Sequence, residues 1–357
     1  MKSSQNPISL YIHWPYCLSK CPYCDFFSQA SPHIEENTLW PGYQRDIRKW
    51  LSERPIKTIF LGGGTPSLMS VRFLDQLFNE ILKHTSLSAD CEITMEANPD
   101  AIDKAKMKEF KLLGVNRLSL GVQSLNEKDL SFLGRRHSVD TAVRRIMEAQ
   151  SVFDRVNIDL IYALPMQTPA SWEYELKQAL SFNLSHYSLY QLTIEENTVF
   201  GRKNIPSADE NNAVNLYRLT DNLMADAGIP AYEVSNYAIS GQECRHNMAY
   251  WLGYDYIGIG PAAHGRIGLL ATQNPRSVSA WLQKGAQTER LTLAQKKIEQ
   301  LLMGLRLRQN WFPVDGLSLE TINHLIDKGL IEQTSKGIRP TLEGTLVLDS
   351  VITALIP

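Results

Sequence analysis

The chain has 357 residues, 43% of them hydrophobic and 21% charged, which suits one large α/β domain with an appendage, or two domains. A net charge of −2 leaves no broad basic field of the kind that drives nucleic-acid binding. A chain of this length buries about 75% of its unfolded surface, so its five cysteines are not needed as disulfide staples. The N-terminal text MKSSQNPISLYIHW has no long apolar core or small-residue cleavage site, and no run reaches the length of a membrane span. The expected location is therefore the cytoplasm.

An apolar run ending near Trp14 reads as a first strand. It passes directly into YCLSKCPYCDFF, which places Cys17, Cys21 and Cys24 in C-x3-C-x2-C spacing on one loop. Three thiols are an incomplete ligand set for a metal that takes four. A cubane [4Fe-4S] cluster gripped by three thiolates keeps one iron open for a small chelating molecule; a zinc knuckle or three unrelated thiols would need no such guest.

Helical periodicity over Leu39 to Glu53 precedes KTIFLGGGTPS, a buried strand closed by glycines. The alternation repeats. A helix over Val71 to His84 precedes CEITMEANP, one over Ala101 to Leu113 precedes RLSLGVQSL, and two between Asn126 and Val152 precede RVNIDLIYALP. A helix over Pro169 to Phe182 precedes HYSLYQLTIEENT, and a last one covers Asp209 to Ala227. Six strands at βαβ spacing predict an α/β fold with a parallel sheet curled as a full or partial barrel over residues 1–230. From Tyr232 the text turns aromatic and glycine-rich, and residues 231–290 read as further strands and loops. A helix over Leu293 to Asn310 opens a smaller C-terminal domain, 291–357, whose helix, helix, hairpin order suggests a winged-helix-like cap.

In such a barrel the residues just past each strand converge on one rim, where chemistry is done. The first strand ends at the cysteines, the second at Gly63, Gly64 and Thr65, the third at Glu96, the fourth at Gln123, and the fifth carries Asp159. Glycines there let backbone approach a ligand or simply make a tight turn. Glu96 is suited to gripping ribose hydroxyls or an ammonium, or else to facing solvent. Further on, RHNMAYW sets His246 beside Tyr250 and Trp251. By itself His246 reads as a hydrogen-bonded structural histidine, although an imidazole between flat aromatic faces could also ligate a haem iron.

The cysteine spacing just past a first strand resembles the radical S-adenosylmethionine superfamily. That resemblance implies a partial (β/α)6 barrel, a [4Fe-4S] cluster on Cys17, Cys21 and Cys24, and S-adenosylmethionine on the open iron beside Gly63, Gly64 and Thr65. The texts GVQSLNEKDLSFLGRRHS and NIDLIYALP are similar to those of the oxygen-independent coproporphyrinogen III oxidase family. They imply that Gln123, Arg135 and Asp159, with Glu96 and Tyr11, surround S-adenosylmethionine. After Cys24, however, that oxidase continues to a fourth cysteine, whereas this chain reads Asp25-Phe26. CPYCDF and HNxxYW instead resemble the HemW family of haem chaperones over essentially the whole chain. The resemblance implies haem at His246, delivery to haem-acceptor proteins, some of them membrane-bound respiratory proteins, and no decarboxylation of coproporphyrinogen. The oxidase activity is the alternative. His264, in GPAAHG, is a further candidate to line the cofactor site.

Overall fold

The first strand shows how the sequence builds the sheet. In β1 (Ile8–Trp14), Ile8, Leu10, Ile12 and Trp14 join the main apolar core, while the alternate residues Ser9, Tyr11 and His13 point to the opposite face. The structure, a computed structural model, describes residues 7–356. After α1 (Glu36–Trp50) come β2 (Ile56–Gly63), α2 (Val71–Leu82), β3 (Leu87–Ala97), α3 (Lys104–Leu112) and β4 (Arg117–Gln123). Next are α4 (Glu127–Phe132), α5 (Val139–Val152), β5 (Arg155–Tyr162), α6 (Pro169–Leu180), β6 (His186–Gln191) and α7 (Glu210–Asp226). The six strands pair in parallel in chain order, the partial barrel expected from the βα alternation. Helices α2 to α7 start on Ser70, Asp103, Asn126, Ser138, Thr168 and Asp209, whose side chains each accept a backbone N–H. Such caps are written locally, which is why these boundaries are readable from sequence.

The region after α7 extends the same sheet at both edges. β7 (Asn236–Ala238) pairs antiparallel with β6, and β8 (Tyr256–Ile259) runs parallel along the free side of β1. β9 (His264–Ile267), β10 (Leu270–Gln273) and β11 (Gln287–Arg290) continue outward as antiparallel strands. Two helices stand where strands and loops were expected: α8 (Arg245–Trp251) and α9 (Val278–Lys284). The start of α8 is held by Glu92 of β3, whose carboxylate accepts from the Arg245 N–H at 3.2 Å and the His246 N–H at 3.1 Å. An acidic group at a helix N-terminus is favourable, and here it comes from a distant strand.

The barrel interior is polar. Asn157 donates to Ser119 Oγ and to Asp159 Oδ1, each at 2.7 Å, and its amide oxygen accepts from His186 Nδ1 at 2.7 Å. At the lower end Arg155 pairs with Glu92 at 2.5 Å. These partners satisfy polar groups that burial would otherwise penalise.

The C-terminal residues form a second apolar core. It joins α10 (Leu293–Gly304), α11 (Leu319–Asp327), the hairpin β12 (Ile331–Thr334) and β13 (Gly337–Pro340), and, past the short α12 (Leu342–Leu346) whose Leu342 and Leu346 pack on the main core, α13 (Leu348–Leu355), through Leu301, Leu305, Ile322, Leu325, Ile338, Val351 and Ile352. Helix α10 ends at Gly304, short of the expected Asn310. A Cβ on Gly304 would lie 2.5 Å from the Phe312 ring, and the following chain turns so that the Arg308 N–H reaches the Tyr232 carbonyl at 3.0 Å. No helix among the described residues is long and apolar enough to cross a membrane.

Candidate functional site

The cysteine loop is anchored at both ends by backbone. Tyr16–Cys17 pairs with Gln29–Ala30, closing the loop on itself. The Gly64 N–H donates to the Trp14 carbonyl and the Thr65 N–H to the Tyr16 carbonyl, each at 2.7 Å. A Cβ on Gly63, where φ is +111°, would lie 2.6 Å from the Trp14 oxygen, and one on Gly64 would lie 2.4 Å from the Tyr16 oxygen. The glycines thus let β2 pass close beneath the loop, and they line the cavity above it as well. A third anchor is His13, whose Nε2 donates to the Phe27 carbonyl at 2.8 Å, so that its Nδ1 accepts from the Tyr11 hydroxyl at 3.0 Å. Burial holds His13 neutral, with its pKa pushed down to about 4.

One cavity of about 360 Å³ gathers Cys17, Cys21, Cys24, Gly63, Gly64, Thr65, Glu96, Gln123, Arg135 and Asp159. The sequence expectations converge here except for Tyr11, His246 and His264, none of which lines this cavity. Its volume lies in the range of small-molecule sites. Glu96 accepts from the Gly63 N–H at 3.2 Å, and burial together with the nearby Asp159 carboxylate pushes its pKa up to about 8. Burial also raises Asp159, against hydrogen bonds from Asn157, Ser188 and Ser119. Gln123 has a φ of 70°, a conformation uncommon outside glycine, at the point where β4 enters the rim.

Asn98 was not legible as a site residue. It donates to Thr65 Oγ1 at 2.9 Å and accepts from Arg135 at 2.8 Å; Arg135 in turn donates to the Gly121 carbonyl at 2.8 Å and reaches Cys21 Sγ at 3.3 Å. A single network therefore ties three strand ends to the cysteine loop. The only signal was its place two residues after Glu96 in EANP. Tyr190, at the end of β6, lines the same cavity and was also missed.

The donors present fit a three-thiolate cubane and a zwitterionic nucleoside ligand. All five cysteines are free, Cys17 is buried, and burial pushes the Cys24 thiol up to about 11. Among the described residues no three His, Cys, Asp or Glu side chains are gathered as a single-ion site; a cubane takes each sulfur on a different corner. Paired carboxylates suit an ammonium and ribose hydroxyls, Ile161 and Leu192 offer an apolar wall, and the buried Nε of Arg135 has no partner among the described residues.

His246 lies elsewhere. It is 1% exposed, its Nδ1 shares a hydrogen bond with Thr58 Oγ1 at 2.8 Å, and its Nε2 shares one with the Tyr250 hydroxyl at 2.8 Å. Its ring stacks on Phe60 with centroids 5.1 Å apart. In this arrangement neither ring nitrogen is open to a metal. Tyr11 faces the same side, stacked on Phe60 at 6.3 Å and spent on His13. Both fall outside the cysteine cavity; Tyr11 lines a neighbouring cleft, which His246 reaches only through Tyr250.

Residues 11–179 match the Radical SAM superfamily. The chain is 42% identical to the heme chaperone HemW of Escherichia coli (strain K12) over 267 residues, covering 73% of this chain and 70% of that protein. It is 34% identical to the heme chaperone HemW of Bacillus subtilis (strain 168) over 377 residues, 98% of this chain and 99% of that one. The mitochondrial radical S-adenosyl methionine domain-containing protein 1 of Danio rerio is 35% identical over 387 residues, 98% of this chain and 86% of its own length. Among solved structures the coproporphyrinogen III oxidase of Escherichia coli, a radical SAM enzyme, superposes with a TM-score of 0.85 at 20% identity, over 98% of this chain and 90% of that one. That likeness concerns the fold. The similarity to HemW proteins extends through the cysteine loop, the sheet extension and the C-terminal core, and the chain belongs to the HemW family of the radical S-adenosylmethionine superfamily.

Proposed function

We propose that this protein is a haem chaperone that binds haem, a [4Fe-4S] cluster and S-adenosylmethionine, works in the cytoplasm and delivers haem to acceptor proteins, membrane-bound respiratory ones among them. The observation that carries the reading is the loop itself: three thiols share a cavity with Glu96 and Asp159, and position 26 holds an exposed phenylalanine in place of a fourth cysteine. When bound, the cluster supplies an open iron corner and an electron. Cys17, Cys21 and Cys24 hold it as thiolates, and Arg135 places a cation beside Cys21. Gly63, Gly64 and Thr65 shape the floor, Gln123 and Arg135 orient the ligand from one wall, and Glu96 and Asp159 take its ammonium and ribose. Tyr11 acts at one remove, through His13 and the Phe27 carbonyl. His246 contributes to haem binding by holding Tyr250; direct ligation by its Nε2 requires that bond to open.

Anaerobic reconstitution tests the reading. The wild type should take up iron and labile sulfide and bind haem, whereas Cys17→Ala, Cys21→Ala and Cys24→Ala should each lose the brown iron-sulfur absorption. Formation of protoporphyrinogen from coproporphyrinogen above background would reject a chaperone without oxidase activity.

A further inference from the structure

A second cleft, of about 340 Å³, lies beside the cysteine loop and shares Asp25 and Phe26 with the lining of the cysteine cavity. Its walls come from the loop (Phe26), from α8 and β8 (Tyr250, Tyr256), from the start of β9 (His264), and from Arg276 and Met303. His264 differs from His246 in every respect that matters to a metal. It is exposed, and neither ring nitrogen has a hydrogen-bond partner among the described residues. Partial burial of the ring and the cations Arg266 and Arg276 lower its pKa, so the neutral imidazole keeps a lone pair at neutral pH.

The surroundings are those of a flat, apolar, anionic guest. Tyr250 and Tyr256 meet edge to face at 4.5 Å, and Phe26 is 67% exposed, a large apolar face with no cover. Arg276 spends one N–H on the Asp25 carbonyl at 3.1 Å and has others for a carboxylate. The cleft is at the small end of ligand sites, so a porphyrin seated on a ligand inside it leaves an edge in solvent. A carrier that must hand its cargo on requires such an edge.

We infer that His264 is the axial ligand of haem iron, with Phe26 and Tyr256 against the porphyrin face and Arg276 toward a propionate; His246 only positions Tyr250 behind it. The inference rests on the haem-chaperone reading and names its cargo site.

The test is an anaerobic titration of ferric haem into the full-length, cluster-reconstituted protein, followed by the Soret band and electron paramagnetic resonance. His264→Ala should bind haem about tenfold more weakly or worse. It should also lose the imidazole-ligated spectrum and recover it with added imidazole. His264→Met should shift the spectrum to a thioether-ligated form, and His246→Ala should keep the wild-type ligation signature. An unchanged spectrum in His264→Ala, or loss of ligation in His246→Ala alone, would overturn the assignment while leaving the chaperone reading in place. A wild type that takes up no haem sinks both. His264 is exposed, so retained cluster absorption in its variants separates lost ligation from misfolding.

Discussion

Glu96 carries its charge at a cost, because a half-enclosed rim and the neighbouring Asp159 favour the protonated form. Its pKa in the folded chain, about 8, lies above the ordinary 4.5, so the native state holds the proton longer than the unfolded one. Its contribution to stability should therefore fall as pH rises through that window, and Glu96→Gln should flatten this part of the profile. Urea midpoints of the two proteins, without S-adenosylmethionine, on either side of the window check this; parallel profiles would refute it. The same variant should weaken S-adenosylmethionine binding about tenfold, readable by calorimetry on the reconstituted protein. Glu96 was legible because EANP closes a strand. Asn98, in the same text, was not, since its role is defined by Thr65 just past β2 and by Arg135 in the loop between α4 and α5.

At the scale of elements, α8 depends on a residue of β3. Glu92 is 1% exposed, which works against its charge; Arg117, Arg155 and the N–H groups of Arg245 and His246 more than compensate, so its pKa is lowered. That stabilisation is present at neutral pH and is lost as pH falls through the lowered value. Removing the carboxylate in Glu92→Ala should destabilise the protein by about 3–5 kcal/mol, as breaking one side of a buried pair does. Hydrogen exchange should show α8 fraying first, and protection unchanged over Arg245–Trp251 would contradict the anchoring role. The barrel helices were readable from their own caps, such as Ser70 and Thr168. Helix α8 was read as strand and loop because its cap lies on another strand, and Cys244 at its own N-cap does not cap the helix; its thiol donates to Glu92 at 3.6 Å instead.

Across the whole molecule, the C-terminal core stands apart from the barrel core and is tied to α7 by Arg308, which reaches Asp221 and the Tyr217 hydroxyl, each at 3.2 Å, and by Arg218 with Glu343 at 2.8 Å. Ile322, fully buried there, should cost about 2–5 kcal/mol on truncation to alanine. The loss should appear as faster exchange over residues 301–355 with cluster loading intact; loss of the cluster in Ile322→Ala would mean that the two cores unfold together.

The order of βα units, the three-thiol loop and the rim position of Glu96, Gln123 and Asp159 were already decided in the chain's text, because strand period, cap residues and ligand spacing act over a few residues at a time. Which histidine meets solvent was not. As letters, HNxxYW points to His246 as the haem ligand and His264 is only a further candidate to line the cofactor site; the packing of α8 on Phe60 and Thr58 buries the first imidazole between two hydrogen bonds, while the start of β9, between β8 and β10 in the sheet extension, leaves the second exposed. Exposure depends on what the rest of the chain brings alongside, and those partners lie tens to hundreds of residues away.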